Sequence, residues 1–153
     1  METATKNLSD LEALQTEAAH FVETLPHVSA EGTSATLITL SGELGAGKTS
    51  FTQGVAKALG IEESVTSPTF VLEKIYELPE DIAHGYKRLV HIDAYRLEGG
   101  RSLAPLGFDE LMQDRHNLIV LEWPERVADG LPQAAARISL AVAPGNTRTI
   151  SYA

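Results

Sequence analysis

The chain contains no cysteine, which excludes disulfides, a thiol nucleophile and any zinc site built on thiolates. It has no apolar run near the roughly 20 residues that a membrane-spanning helix needs. Met1-Glu2-Thr3-Ala4-Thr5-Lys6 is not followed by the apolar stretch of a signal peptide, so the cytoplasm is the expected compartment. Positive charge is scarce: 12 Lys and Arg stand against 21 Asp and Glu, a formal net charge of −9. The nearest thing to a basic cluster is the pair Lys87-Arg88. Neutralising phosphates dominates nucleic-acid affinity, so direct binding to RNA or DNA is disfavoured. A basic protein partner suits this charge better. What remains, 43% apolar and 22% charged residues over 153 positions, is ordinary for a single globular domain, here residues 1–153.

The most informative stretch is Leu37-Ile38-Thr39-Leu40-Ser41-Gly42-Glu43-Leu44-Gly45-Ala46-Gly47-Lys48-Thr49. An apolar strand runs into glycines, and a Lys-Thr pair then opens an amphipathic helix. Gly42 to Thr49 fit G-x-x-x-x-G-K-[ST], the phosphate-binding loop. The spacing follows from the chemistry. Backbone N–H groups must curl around a phosphate, which needs the dihedrals and close approach that glycine permits. Lys48 would reach the β- and γ-phosphate oxygens, and the Thr49 hydroxyl would ligate Mg²⁺. The exposed N–H groups and dipole of the following helix add to the attraction. A chance match in a chain this long is on the order of one in a hundred or less. The alternative is a glycine-rich strand-to-helix turn without a ligand.

Such a loop needs an acidic partner to hold Mg²⁺ or its water at the end of a neighbouring strand. Leu89-Val90-His91-Ile92-Asp93 and Leu118-Ile119-Val120-Leu121-Glu122 each end in a carboxylate, which is costly to bury unless it is paired or coordinating. Ser67-Pro68-Thr69 falls beyond the first loop helix, where a threonine can sense a γ-phosphate; the plainer reading is a Ser-Pro turn into a strand. Trp123, the only tryptophan, either fills the core or flanks the nucleotide, since it follows Glu122. His91 alternates with Asp93 on one strand face and is either structural or catalytic. No Asn-Lys-x-Asp element for guanine is present, so adenine is favoured. The seven arginines are scattered, against the arginine-rich lid of a small-molecule kinase.

Along the chain, Ser9-Asp10-Leu11-Glu12 reads as a capping box with Ser9 as N-cap. In the helix that follows, apolar residues recur at helical spacing at Leu11, Leu14, Ala18, Phe21, Val22 and Leu25, and Pro26 ends it. The loop helix runs from Lys48 to Leu59, with Gly60 as its C′ residue. Strands are expected at Thr36–Leu40, Phe70–Tyr76, Arg88–Ala94 and Asn117–Glu122, the last central and covered on both faces. Leu103 to Met112 gives one or two short helices broken near Pro105 and Gly107. Pro144-Gly145-Asn146 joins Ile138–Val142 to Thr147–Tyr152 in an antiparallel edge hairpin. The expected fold class is α/β: a P-loop NTPase-like three-layer sandwich with a mixed sheet.

Taken together, Gly42 to Thr49, Ser67-Pro68-Thr69-Phe70, His91-Ile92-Asp93-Ala94-Tyr95-Arg96-Leu97 and Leu121-Glu122-Trp123-Pro124, in this order, resemble the bacterial TsaE (YjeE) family of small ATPases in tRNA threonylcarbamoyladenosine biosynthesis. The resemblance spans roughly Ser9 to Val142. It implies ATP with Mg²⁺, slow hydrolysis, and action beside TsaD and TsaB, which carry out the threonylcarbamoyl transfer that this chain would regulate or reset. It implies phosphate binding by Leu44, Gly45, Ala46, Gly47, Lys48 and Thr49, and Mg²⁺ held by Thr49 and Glu122. Lys48, Asp93 and Thr69 would serve hydrolysis, with Asp93 and Trp123 at the nucleotide and Asp10 toward the adenine. Gly99-Gly100-Arg101 and Pro105 depart from the family's usual acidic, proline-free pattern. Direct tRNA contact and a membrane role are disfavoured. Two rivals stand beside this reading: a small-molecule kinase with a reduced lid, and a nucleotide-sensing module without significant turnover.

Overall fold

The computed structural model describes residues 4–28, 32–68, 72–80 and 84–153, apart from the side chains of residues 4 and 146. Ten regular elements follow one another: β1 (Ala4–Leu8), α1 (Leu11–Glu23), β2 (Thr36–Ser41), α2 (Lys48–Ala58), β3 (Glu73–Glu77), β4 (Arg88–Asp93), α3 (Phe108–Met112), β5 (Asn117–Glu122), β6 (Ala136–Ala143) and β7 (Thr147–Tyr152). A 3₁₀ stretch over Gly100–Leu106 precedes α3, and Gly107 in the left-handed region separates the two, as the Pro105 and Gly107 signals predict.

The seven strands form one sheet in the order β1-β7-β6-β2-β5-β4-β3. β4, β5, β2 and β6 are mutually parallel, while β3 and β7 run antiparallel to their neighbours. Strand alternation sorts the apolar side chains by face. Ile38, Leu40, Leu89, Leu118, Val120 and Ile138 meet Leu14, Ala18 and Phe21 of α1 and Phe51 and Val55 of α2. Leu37, Val90, Ile92, Ile119 and Leu121 pack beneath Leu103, Phe108 and Val127. Both faces of β5 are thereby covered and all six of its residues are buried, as a central parallel strand requires. A fully buried side chain of the size of Phe51 contributes roughly 1.5–3 kcal/mol relative to exposure.

Three local readings differ from the expectation. The N-cap of α1 is Asp10 rather than Ser9: Asp10 is extended and its Oδ1 accepts from the Ala13 N–H at 2.7 Å. A carboxylate beside the positive end of a helix is favoured over a hydroxyl one residue earlier. The C-terminal hairpin forms as read, but β1 adds antiparallel to the outer side of β7, so β1 is the edge. The strand expected from Phe70 begins at Glu73 among the described residues. The parallel centre, with the turn after β2 opening at its carboxyl end, leaves β4 and β5 to deliver their last residues to that same end.

Candidate functional site

β2 ends at Ser41 and α2 begins at Lys48, so Gly42–Gly47 must reverse the chain within one turn. Gly45 and Gly47 have φ of +82° and +108°, a region that costs an L side chain roughly 1–2 kcal/mol. A Cβ on Gly47 would also stand 2.5 Å from Leu14 Cδ2, because the first turns of α1 pack directly on the loop. The Ala46 N–H donates to the Glu43 carbonyl at 3.0 Å. Among the described residues no hydrogen bond is donated by the backbone N–H of Leu44, Gly45, Gly47, Lys48 or Thr49. This concentration of spare donors at a helix start is the donor set an anion requires. Leu44 is 70% exposed and Thr49 is partly exposed.

Lys48 is 5% exposed. Its Nζ donates to the Gly42 and Glu43 carbonyls at 2.5 and 3.0 Å and lies 4.4 Å from the centre of the Trp123 ring. Burial lowers its pKa below the ordinary lysine value, and the carboxylates of Glu122, Asp93 and Glu125 oppose that shift. Glu122 and Asp93 stand opposite each other in the β4–β5 register and are both nearly sealed from solvent. The sequence-predicted Lys48, Asp93, Glu122 and Trp123 therefore meet in one place.

Each of these side chains is held by local structure. Asp93 Oδ1 accepts from the Tyr95 N–H at 2.9 Å, and its Oδ2 lies 3.4 Å from Ser67 Oγ. Its own N–H donates to the Leu72 carbonyl, so Asp93 is touched by Ser67 and by Leu72, one on each side of Thr69 in sequence; Thr69 itself lies outside the described residues. His91, wholly buried, brings Nε2 to 2.5 Å from Glu122 Oε2. Trp123 takes a left-handed backbone (φ +60°) with its N–H bonded to the Leu40 carbonyl, and the Tyr95 ring lies 4.9 Å from its own. Asp10 is exposed at the α1 cap, its Oδ1 committed to Ala13. The structure brings α1 to the loop through Leu14 and Leu11, whose Cδ2 atoms lie 2.5 and 3.9 Å from where a Cβ on Gly47 would stand.

The sequence reading gave no role to Arg148. This buried residue of β7 donates from Nη2 to the Gly45 carbonyl at 3.3 Å, bracing the loop from a strand remote in sequence. A lone arginine in an alternating strand carries no signal for that role. Among the described residues no group of three or more His, Asp or Glu could enclose a metal, and no helix is long and apolar enough to cross a membrane.

The family described as "Threonylcarbamoyl adenosine biosynthesis protein TsaE" matches residues 6–150. The tRNA threonylcarbamoyladenosine biosynthesis protein TsaE of Treponema pallidum is 40% identical over 117 residues, 76% of this chain and 81% of that protein. The Streptomyces coelicolor protein of the same name is 41% identical over 112 residues, 72% of each chain. The crystal structure of Bacillus subtilis YdiB superposes with a TM-score of 0.73 at 28% identity, covering 99% of this chain and 84% of that one.

Proposed function

The chain belongs to the TsaE family, and from that membership and the site geometry we propose an ATP-binding, slowly hydrolysing subunit that acts with TsaD and TsaB in tRNA threonylcarbamoyladenosine biosynthesis. The observation that carries this reading is the convergence of Lys48, Asp93, Glu122 and Trp123 on a glycine turn rich in spare backbone N–H groups.

The residues fit a nucleotide triphosphate with Mg²⁺. The amides of Leu44, Gly45, Gly47, Lys48 and Thr49 would take phosphate oxygens, and Lys48 would exchange two neutral carbonyl acceptors for a charged one, a stronger bond. Thr49 Oγ1 and Glu122 would hold the ion. A site with one hydroxyl and one carboxylate suits Mg²⁺, which keeps waters and takes its remaining ligands from phosphates, and agrees with the lack of an all-protein cage among the described residues. Mg²⁺ bound there would neutralise charge on the β- and γ-phosphate oxygens. Asp93, fixed by Tyr95 and beside Ser67, would orient the attacking water or the shell of the ion. Trp123 would sense phosphate through Lys48, and Leu44 and the start of α1 would lie toward the base.

The net charge of −9 suits a subunit read by a protein rather than by tRNA directly. The transfer of the threonylcarbamoyl group belongs to the partners in this reading. The test is phosphate release from ATP by the chain alone and with TsaD–TsaB. Stimulation by the partners without any small acceptor supports the proposal. Release that partners leave unchanged, or that awaits a small-molecule acceptor, overturns it.

A further inference from the structure

His91 buries an imidazole where packing alone asks for a hydrocarbon. It lies on the α1–α2 face of β4, two residues from Leu89, and pairs across the ladder with Val120. Its side chain is 0% exposed, its Nε2 meets Glu122 Oε2 at 2.5 Å, and its Nδ1 is sealed without a hydrogen-bond partner among the described residues. An unpartnered lone pair is the cheaper loss, so the proton belongs on Nε2, donated to the carboxylate. The Glu122 side chain is 3% exposed, yet Oε1 is not among the sealed polar atoms lacking a partner and makes no hydrogen bond among the described residues. One oxygen of Glu122 is thus held and the other is left available.

We propose that His91 is a positioning residue for Glu122: it fixes the carboxylate through Oε2 so that Oε1 serves the ion at the phosphate loop. This rests on the Mg²⁺·ATP reading above. A group behind a ligating carboxylate sets its orientation, and loss of such a partner typically weakens metal affinity 10- to 100-fold. A purely structural histidine would affect stability and every mode of nucleotide binding together.

The experiment uses the full chain with His91→Leu, His91→Gln and His91→Asn. Trp123 fluorescence follows ATP binding in EDTA and across a Mg²⁺ titration, phosphate release is measured over the same titration, and urea unfolding is recorded without ligand. Gln can place its amide near the position of the imidazole Nε2, whereas Asn is too short to reach Glu122. The expected result is a Mg²⁺ midpoint raised about tenfold or more in His91→Leu and His91→Asn, with near-normal restoration in His91→Gln. ATP affinity in EDTA should stay close to wild type in all three. If His91→Leu fails to fold, the Gln–Asn pair decides. Equal Mg²⁺ midpoints in Gln and Asn variants, or parallel losses with and without Mg²⁺, overturn the inference while leaving the ATP reading intact. A wild-type chain whose ATP binding and turnover ignore Mg²⁺ overturns both.

Discussion

The Lys48 ammonium stands 4.4 Å from the centre of the Trp123 ring while donating to the Gly42 and Glu43 carbonyls. A phosphate that draws Lys48 toward itself must change the field over the indole. ATP should therefore shift the fluorescence of this single tryptophan, and a titration gives the affinity directly. Lys48→Ala removes the cation, and a charged hydrogen bond of this kind contributes about 1.5–3 kcal/mol. Calorimetry should show ATP affinity reduced on the order of tenfold to a hundredfold. Near-wild-type binding would remove the phosphate-loop assignment, and an unchanged spectrum at saturating ATP would return Trp123 to a packing role.

Glu122, proposed above to hold the ion, has one oxygen 2.5 Å from His91 Nε2. Glu122→Ala should lower Mg²⁺-dependent turnover by about 10²-fold or more, the loss typical of one transition-state contact. Nucleotide binding without Mg²⁺ should change far less. Equal losses in both assays would argue against ligation of the ion.

Asp93 is fixed by the Tyr95 amide and lies beside Ser67. Asn in its place keeps the shape and an acceptor oxygen but loses the charge. Asp93→Asn should spare the fold in a thermal melt and reduce turnover by about 10²-fold. Full turnover would demote Asp93 to holding the Ser67 loop.

The candidate site was legible in the sequence wherever chemistry imposes spacing. Gly42 to Thr49 must be contiguous to wrap a phosphate, and Asp93 and Glu122 end strands that the parallel register sets side by side. What was not legible depends on contacts between distant segments. Arg148 reaches Gly45 only because β7 lies beside β6. β1, with the sequence Ala-Thr-Lys-Asn-Leu, has no apolar alternation. It pairs with β7 through backbone bonds and through Glu17, whose Oε1 accepts from Lys6 at 3.0 Å and Tyr152 at 2.7 Å. Burial first, and then the Glu17 contact, push the Tyr152 hydroxyl above its ordinary pKa. The third layer was anticipated, but it covers only the centre of the sheet. Leu103, Phe108 and Val127 cover β2, β5 and β4, whereas Arg137, Ser139 and Ala141 of β6 remain exposed on that face. The resemblance of whole motifs, rather than periodicity, carried the functional reading.

Gly54 is a packing test independent of the nucleotide. A Cβ there would lie 2.7 Å from Ala18 Cβ and 2.9 Å from the Gln15 backbone, so α1 and α2 approach as closely as a glycine allows. Helix propensity favours alanine over glycine by about 1 kcal/mol, but overpacking a tight contact costs about 1–3 kcal/mol. The clash involves backbone, which cannot rotate away. Gly54→Ala should therefore lower the urea midpoint, with a net loss of about 1 kcal/mol. A gain in stability would mean that α1 can slide, and that its seat on the phosphate loop is not fixed.

Glu73 gives a pH-dependent test at the opposite side of the sheet. It faces Ile92 across the β3–β4 ladder, and its Oε2 is buried without a partner among the described residues. Burial raises its pKa above the ordinary value of 4.5. The native state therefore holds this proton more tightly than the unfolded chain does. The stability it contributes is full below pH 4.5 and is lost as pH rises through the elevated folded value. Glu73→Gln cannot ionise and abolishes that window. Its unfolding free energy should equal or exceed wild type at neutral pH by a fraction of a kcal/mol, because the site is only partly buried. The difference should shrink or reverse as the pH is lowered to 4.5 and below. Parallel stability curves for the two proteins from pH 4 to pH 8, a range of about four units around the carboxylate's titration, would mean that Glu73 meets water in solution and carries no burial penalty.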